Sequence, residues 1–368
     1  MAKSVFDALM RGVFLPMILA PALTSGADFF SQLDADGNGR ITLNEIPEEA
    51  RPFVKLVDAN GDGELSHAEF GRIAASLRQM IPEEPGEVTE TQNVDYVGAG
   101  HPRQTLDLYF PQPSPDEPLP LIVYLHGGGW MGGTKQEARP VADALTATGD
   151  YAVASINYRL IQDALWPAQL DDCKAAVRFL RANAKTYGID PDRIAVMGVS
   201  AGGHLASLLG TTSGEAGTEG ALGKYPGTSS KVAAVVDLFG PTNFETFFGE
   251  DTDIVGMSRT NAAIRVLGMK DEDILRNARL ASPAHWVSKN DPPFLIVHGT
   301  RDDVVPFAQS AEFEEMLKAK GVDARLIAVE GGGHGFRSDE LNQRIKRFLD
   351  RHLRGGTAEV STTPIRLR

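Results

Sequence analysis

The chain has 368 residues, 42% of them hydrophobic and 23% charged, and a formal net charge of −13. That length accommodates one large domain and a smaller one around ordinary apolar cores, and the acidic balance argues against nucleic acid or an anionic membrane surface as partner. Cys173 is the single cysteine, which excludes an intrachain disulfide; it falls at helical spacing with Leu170, Val177 and Leu180 and reads as a small core residue.

Residues 1–27 carry the pattern of an export signal. Lys3 and Arg11 form a basic start, Gly12 to Leu23 is an uncharged apolar run, and Ser25-Gly26-Ala27 offers small residues for cleavage. Pro16 and Pro21 interrupt the run, which is short for a membrane span. The expected location is secreted or periplasmic, with no stable membrane span once the signal is removed. Residues 28–90 then concentrate 14 acidic residues against 5 basic ones, a density that suits bound cations. Within them, residues 28–80 read as a small all-α unit around two Asp/Asn/Gly-rich loops, and residues 81–90 as a Pro-rich linker.

From residue 91 to 354 strand and helix patterns alternate. Strands are predicted at 105–110, 120–125, 151–157, 193–197, 232–238, 293–297 and 324–329, and helices at 135–148, 168–186, 201–211, 307–320 and 338–353. Alternation of this kind implies a mostly parallel sheet covered by helices. The first strands lack an intervening helix, so an antiparallel start is expected. Residues 212–230, rich in Gly, Thr and Ser, read as a surface loop. Residues 241–291, with Phe244, Phe247 and Phe248, read as a partial lid over a cleft. Residues 355–368 are expected to be a disordered tail.

In the acidic segment, Asp34, Asp36 and Asn38 supply oxygen side chains at positions 1, 3 and 5 of a twelve-residue loop, and Gly39 makes the turn at position 6. Arg40 offers its backbone carbonyl at position 7, Thr42 sits at position 9, and Glu45 closes the loop with two oxygens. Asp58, Asn60, Asp62, Glu64, Ser66 and Glu69 repeat the pattern. Ile41 and Leu65, both at position 8, can pair the loops through a short β contact. The two loops resemble an EF-hand pair, which implies bound calcium. They begin 24 residues apart with Pro47 and Pro52 between them, shorter than an ordinary pair. A structural or attachment role for Ca2+ is therefore expected rather than a sensor-like opening.

Ser200 lies in Gly198-Val199-Ser200-Ala201-Gly202, between an apolar run and a helical one, the context of a nucleophile on a strand–turn–helix elbow. The flanking glycines suit both a strained turn and a close strand–helix approach. His334, in a glycine-rich loop after the last predicted strand, is the candidate base. Asp302, in His298-Gly299-Thr300-Arg301-Asp302-Asp303, is the candidate orienting acid, with Asp303 as the alternative. The order Ser, Asp, His is the one found in α/β-hydrolases. Consecutive glycines in His126-Gly127-Gly128-Gly129-Trp130 follow a strand and leave backbone amides bare. The amides of Gly128, Gly129 and Ala201 are assigned to an oxyanion hole.

HGGGW, GVSAGG, HGTRDDVVP and GGGHGF, with Asn157-Tyr158-Arg159-Leu160 after a strand, resemble the hormone-sensitive-lipase-like branch of α/β-hydrolase esterases over residues 90–354. The resemblance implies a serine esterase needing no cofactor for its chemistry. It also implies a small-molecule or polysaccharide substrate, carboxylic or carbohydrate-linked acetyl or feruloyl esters. Val199 stands where the lipase-like branch more often has an acid, which favours the carbohydrate-esterase side. His126 reads as a brace below the glycine loop, His204 as helix packing, and His285 and His298 as structural. Asp171 and Asp172 read as helix-start charges. Trp130, Trp166 and Phe336 either line the substrate pocket or pack in the core. Two other readings stand beside the esterase: a prolyl-oligopeptidase-type serine peptidase and a calcium-dependent binding protein on a hydrolase scaffold.

Overall fold

The computed structural model describes residues 34–42, 44–45, 60–66, 69, 88–215, 217–247, 253–254, 257–258 and 274–367. The predicted export signal and Asp58 lie outside these residues. The chain divides into two compact units, residues 1–84 and 85–368.

In the first unit, β1 (Arg40–Thr42) pairs antiparallel with β2 (Glu64–Ser66), and Ile41 faces Leu65 at the centre of the register. Both side chains are buried. The position-8 contact expected from the loop pattern is therefore formed.

The second unit is built on a nine-stranded sheet. Its strands in chain order are β3 (Val88–Asp95), β4 (Thr105–Pro111), β5 (Leu119–Leu125), β6 (Ala152–Ile156), β7 (Ile189–Val199), β8 (Ala234–Leu238), β11 (Phe294–Gly299), β12 (Ala324–Glu330) and β13 (Ile365–Arg366). A separate two-stranded pair, β9 (Asp253–Ile254) and β10 (Met257–Ser258), lies between β8 and β11 in sequence. The spatial order is β13-β12-β11-β8-β7-β5-β6-β4-β3. β3 with β4 and β4 with β6 are antiparallel, and every other neighbouring pair is parallel. The antiparallel start follows from short connections that hold no crossover helix.

The helices are α1 (Arg139–Thr146), α2 (Ala168–Ala182), α3 (Ala184–Tyr187), α4 (Ala201–Thr212), α5 (Phe244–Phe247), α6 (Ile274–Leu280), α7 (Pro283–Trp286), α8 (Phe307–Ala319) and α9 (Asp339–Leu353). A 3-10 turn (Lys135–Ala138) precedes α1. Every residue of β5 is buried, because helices cover both faces of the sheet. Leu121, Val123 and Leu125 pack with residues of α2, α4 and α8, while Ile122 and Tyr124 pack with residues of α1 and α9. This two-residue alternation puts one apolar run into two cores.

The chain passes from β5 to β6 on one side and returns to β7 on the other. The strand order therefore reverses between β5 and β7, the place where parallel α/β sheets open a crevice at the carboxyl ends of their strands. His126 follows β5 and Ser200 follows β7.

Several expectations are corrected. Residues 88–90 belong to β3 rather than to a linker. β3 is an edge strand with no buried side chain, so it lacks the apolar alternation that marks a strand in sequence. The tail expected at 355–368 is ordered over its described residues, 355–367: Val360 and Ile365 are buried, and β13 adds to β12 as the last strand. In the expected lid, Phe244 and Phe247 are buried in the core under α4. Phe248 and the stretches 248–252, 255–256 and 259–273 lie outside the described residues.

Candidate active site

Ser200 leaves β7 with φ 54° and ψ −119°. Holding a side chain there is strained by on the order of 1–3 kcal/mol. The Ser200 amide donates to the Leu238 carbonyl at 2.8 Å, and α4 starts at the next residue. A Cβ on Gly198 would lie 2.1 Å from the Gly202 carbonyl oxygen, and one on Gly202 would lie 2.1 Å from that of Leu125. Neither glycine has a positive φ. The motif glycines therefore serve close approach of backbone to backbone, and Ser200 itself carries the strained conformation.

His334, in the loop after β12, meets Ser200 and Asp302 on its two ring nitrogens. Nε2 is 2.8 Å from Ser200 Oγ, and Nδ1 is 2.8 Å from Asp302 Oδ2. The Asp302 side chain is fully buried. Burial alone pushes its carboxyl up, but hydrogen bonds from His298 and His334, the His334 charge and the Val305 amide outweigh this and hold it well below the usual carboxylate range. The acid beside His334 is thus Asp302; the alternative, Asp303, is exposed. The Phe239 ring stands edge-on to His334 at 4.9 Å and walls the imidazole on that side.

The glycine loop after β5 turns through positive φ at Gly128 (102°), Gly129 (57°) and Trp130 (57°). The Gly128 carbonyl accepts the amides of Met131 and Gly132, both at 3.0 Å. Among the described residues, no acceptor takes the amides of Gly128 or Gly129. Ala201 opens α4, where the first amide has no acceptor within the helix. The three expected oxyanion donors are therefore available for a ligand.

His126 braces the loop as expected, together with residues that the sequence did not mark. Arg103, between β3 and β4, donates to the Tyr158 carbonyl (3.1 Å), the Gly133 carbonyl (3.0 Å) and His126 Nε2 (2.9 Å). Since Arg103 can only donate, His126 Nε2 accepts, and Nδ1 carries the proton to the Gly127 carbonyl at 2.8 Å. Burial first, and then the Arg103 charge, lower the His126 pKa to about 4 against the opposing Gly127 bond. Tyr158 stacks on the ring at 4.2 Å, and its hydroxyl donates to the His126 carbonyl. Behind the loop, buried Lys135 pairs with buried Asp107 on β4 and donates to Asn93. No local pattern marks Arg103 or Asp107, because each acts across the sheet.

The other singled-out residues fall as follows. His204 packs in the core, accepting from Trp130 Nε1 and donating to the Ala281 carbonyl. Trp130 is buried, while Trp166 and Phe336 are partly buried against the core. His285 is exposed and accepts from Arg279. Asp172 is more than a helix-start charge. It is fully buried and takes Arg159 on both oxygens together with Gln104, which ties the turn after β6 to α2. His298 is more than structural, since its Nε2 lies 3.1 Å from Asp302 Oδ2.

In the first unit, carboxylate oxygens of Asp34, Asp36 and Glu45 all lie within 4.8 Å of one another. Asp34 accepts the Asn38 and Gly39 amides, which folds the loop around its carboxylate. Glu45 accepts the Thr42 amide and hydroxyl, which hold its carboxyl below its ordinary value. An all-oxygen set of three carboxylates suits a hard divalent cation. In the second loop, Asn60 Nδ2 donates to Asp62, Asp62 accepts the Glu64 amide, and Glu69 accepts the Ser66 hydroxyl. Arg40 reaches across to Asp62 at 3.2 Å and Glu64 at 3.0 Å.

The chain is similar to known esterases in sequence and fold. The sequence matches the family model described as BD-FAE over residues 106–317, one described as TAP-like protein over 276–364, and one described as EF hand over 27–46 and 55–74. Carboxylesterase NlhH of Mycobacterium tuberculosis is 36% identical over 270 residues, covering 71% of this chain and 80% of NlhH. Esterase LipC of the same species is 34% identical over 238 residues, covering 64% of this chain and 57% of LipC, so the chain spans little more than half of that relative. The solved truncated form of a carbohydrate esterase from gut microbiota has 32% identity and a TM-score of 0.64, covering 74% of this chain and 99% of that one. The chain belongs to the BD-FAE family of α/β-hydrolase esterases, with EF-hand sequence ahead of the hydrolase fold.

Proposed function

We propose that this protein is a secreted or periplasmic serine carboxylic-ester hydrolase that works through an acyl-enzyme on Ser200. One observation carries the reading: Ser200, His334 and Asp302 form a continuous chain of 2.8 Å hydrogen bonds, set beside glycine amides available to a ligand. His334 Nε2 takes the Ser200 proton as Oγ attacks the ester carbonyl carbon. The oxyanion settles on the amides of Gly128, Gly129 and Ala201. Collapse breaks the bond to the alcohol, which leaves with the proton from His334. Water, activated by the same imidazole, then attacks the acyl-enzyme and frees the acid and Ser200.

A short acyl group, acetyl above all, on a carbohydrate or small alcohol is the substrate we favour. The likeness to a carbohydrate esterase supports the same class. Calcium is proposed as a structural ion: Asp34, Asp36, Asn38, Arg40 through its carbonyl, Thr42 and Glu45 would hold one ion. Asn60, Asp62, Glu64, Ser66 and Glu69, with Asp58, would hold a second. A cation held there would neutralise the clustered carboxylates of Asp34, Asp36 and Glu45. The export reading of residues 1–27 belongs to the same proposal, since calcium is abundant outside the cell and weak loops suffice there.

Replacing Ser200 by Ala tests the function. Hydrolysis of p-nitrophenyl acetate and of acetylated xylan is expected to fall by about 10⁴-fold or more, with the circular dichroism spectrum unchanged. A folded variant that keeps near-full activity would overturn the reading.

A further inference from the structure

We infer that His298 and Ser310 form a second, buried half of the acid–base chain: His298 is a positioning residue that fixes Asp302 and limits how much negative charge it presents to His334. The inference rests on the reading of Ser200, His334 and Asp302 as the acyl-transfer triad. His298 is the penultimate residue of β11 and is fully buried. Its Nε2 faces the Val305 carbonyl at 2.8 Å and Asp302 Oδ2 at 3.1 Å. A carbonyl only accepts, so Nε2 carries a proton and shares it between the two oxygens. Nδ1 lies 2.7 Å from the hydroxyl of buried Ser310 on α8, which donates to it in the tautomer with the proton on Nε2. Ser310 therefore selects the tautomer that can donate to Asp302.

Asp302 is consequently clamped by four donors. The amides of Val304 and Val305 hold Oδ1 at 2.8 and 2.9 Å. His298 and His334 meet on Oδ2. With Oδ1 tied to its own turn, the direction of Oδ2 toward His334 depends on the one other donor to that oxygen, His298. Sharing Oδ2 between two imidazoles also weakens its pull on the His334 proton. The groups facing this chain are few. The buried Asp237 carboxyl on β8 senses His298 through space, Phe239 and Phe307 present aromatic rings, and α8 contributes the uncharged hydroxyl of Ser310. Loss of the His298 donor is therefore felt at Asp302 and passed to His334.

His298→Leu removes the donor while keeping an apolar side chain of similar bulk. Its kcat is expected to fall by about 10- to 100-fold, a fraction of the ~10⁴-fold that disabling a triad acid costs, with KM changed less than about twofold. The acidic limb of the kcat/KM profile is expected to move upward by about half a pH unit or more, because an unshared Asp302 holds the His334 proton more tightly. His298→Gln, whose amide can still donate, should recover most of kcat and the original limb. Should His298→Leu fail to fold, Ser310→Ala reads the same chain from its other end. It should lower kcat several-fold and shift the limb the same way. The downfield proton resonance of the His334–Asp302 hydrogen bond should move in each damaged variant.

Stoichiometric labelling of Ser200 by a phosphonate ester separates the two readings. If the wild type is not labelled at Ser200, the triad reading falls and this inference with it. If it is labelled, yet folded His298→Leu or Ser310→Ala keeps the wild-type kcat, pH limb and resonance, only the inference about His298 is overturned.

Discussion

The loop of residues 126–134 and the loop of residues 213–231 share one device. Each is irregular backbone, and each is held by cationic side chains supplied from elsewhere in the chain. For the first, Arg103 spans the turn from the His126 ring to the Gly133 carbonyl. For the second, Lys174, Arg178 and Arg181 occupy one face of α2 at positions i, i+4 and i+7. Lys174 donates to the Thr212 and Thr218 carbonyls at 3.1 and 2.8 Å, Arg178 to those of Glu219 and Leu222, and Arg181 to those of Pro191, Ser229 and Lys231. The difference lies in what remains unbound. In the first loop the cation takes carbonyls and a ring nitrogen, and the Gly128 and Gly129 amides stay available. In the second the carbonyls are the point of the contact, and the loop becomes a fixed part of the wall beside α2. The same chemistry thus orders a site in one place and only structure in the other.

Arg103→Met should break the comparison most visibly. Without the guanidinium, the Gly133 and Tyr158 carbonyls and His126 Nε2 lose their donor, and the glycine turn is free to move its amides. On the proposed function, in which these amides are oxyanion donors, misplacing one is worth ~2.7–4 kcal/mol of transition-state stabilisation, so kcat should fall by up to about 10²–10³-fold with KM little changed. Steady-state kinetics on a short acyl ester checks this. An unchanged kcat in a folded Arg103→Met protein would mean that the turn holds its shape without the clamp.

The comparison also marks where sequence was sufficient. Continuous apolar runs such as 120–125 and 293–297 lie between helices on both faces, and the read strands fall within a few residues of β5 and β11. Ser200, His334 and Asp302 were legible because each stands at a strand end in a glycine-rich context, and chain order selects them. Arg103, Asp107 and His298 were not. Arg103 and Asp107 act on residues fourteen or more positions away, and nothing in a local window distinguishes them from solvated charges. His298 was visible in the His298-Gly299-Thr300-Arg301-Asp302 segment but carried no orientation. Only the turn that brings Val305 back to the ring reveals which nitrogen holds the proton. β3 and β13 were missed for a related reason, since an edge strand is defined by the partner it pairs with rather than by its own apolar pattern.

Acid sharpens the contrast. The His126 pKa is lowered to about 4 by burial, and that of His204 is lowered to about 4 by the same cause. Both rings stay neutral in the folded chain while the unfolded chain takes up protons below about pH 6.5. Their contribution to stability is therefore present above pH 6.5 and is lost as the pH falls toward 4. Each shift corresponds to about 3 kcal/mol over that window. Urea unfolding between pH 7 and 4 should show a shallower loss in His126→Gln than in the wild type. Equal slopes would show that the ring is not held neutral, and the tautomer argued for the glycine loop would fail with it.

The loop of residues 213–231 should respond at the opposite end of the pH scale. Burial lowers the Lys174 pKa to about 8, against the opposing pull of Glu219. Below about pH 8 the ammonium is charged in both states, and the folded protein bears the full penalty of burying it. Between about pH 8 and 10.5 the folded chain sheds this proton while the unfolded chain keeps it, so stability should rise with pH, by about 1–3 kcal/mol. Lys174→Met removes that rise. At pH 7 it also leaves the Thr218 carbonyl short of a donor, while the Thr212 carbonyl keeps the Glu215 amide and the Thr218 hydroxyl; the cost of about 1–3 kcal/mol is partly offset by relief of the buried charge. The net loss at pH 7 is therefore expected to be small, about 1 kcal/mol, and kcat should not change, because α2 reaches this loop and not the amides at Gly128 and Gly129. Unfolding curves for wild type and variant at pH 7, 9 and 10, paired with kcat at pH 7, test both halves of the argument. A large fall in kcat would place the second loop in the site after all. A rise in wild-type stability that survives in Lys174→Met would assign the alkaline response to another group.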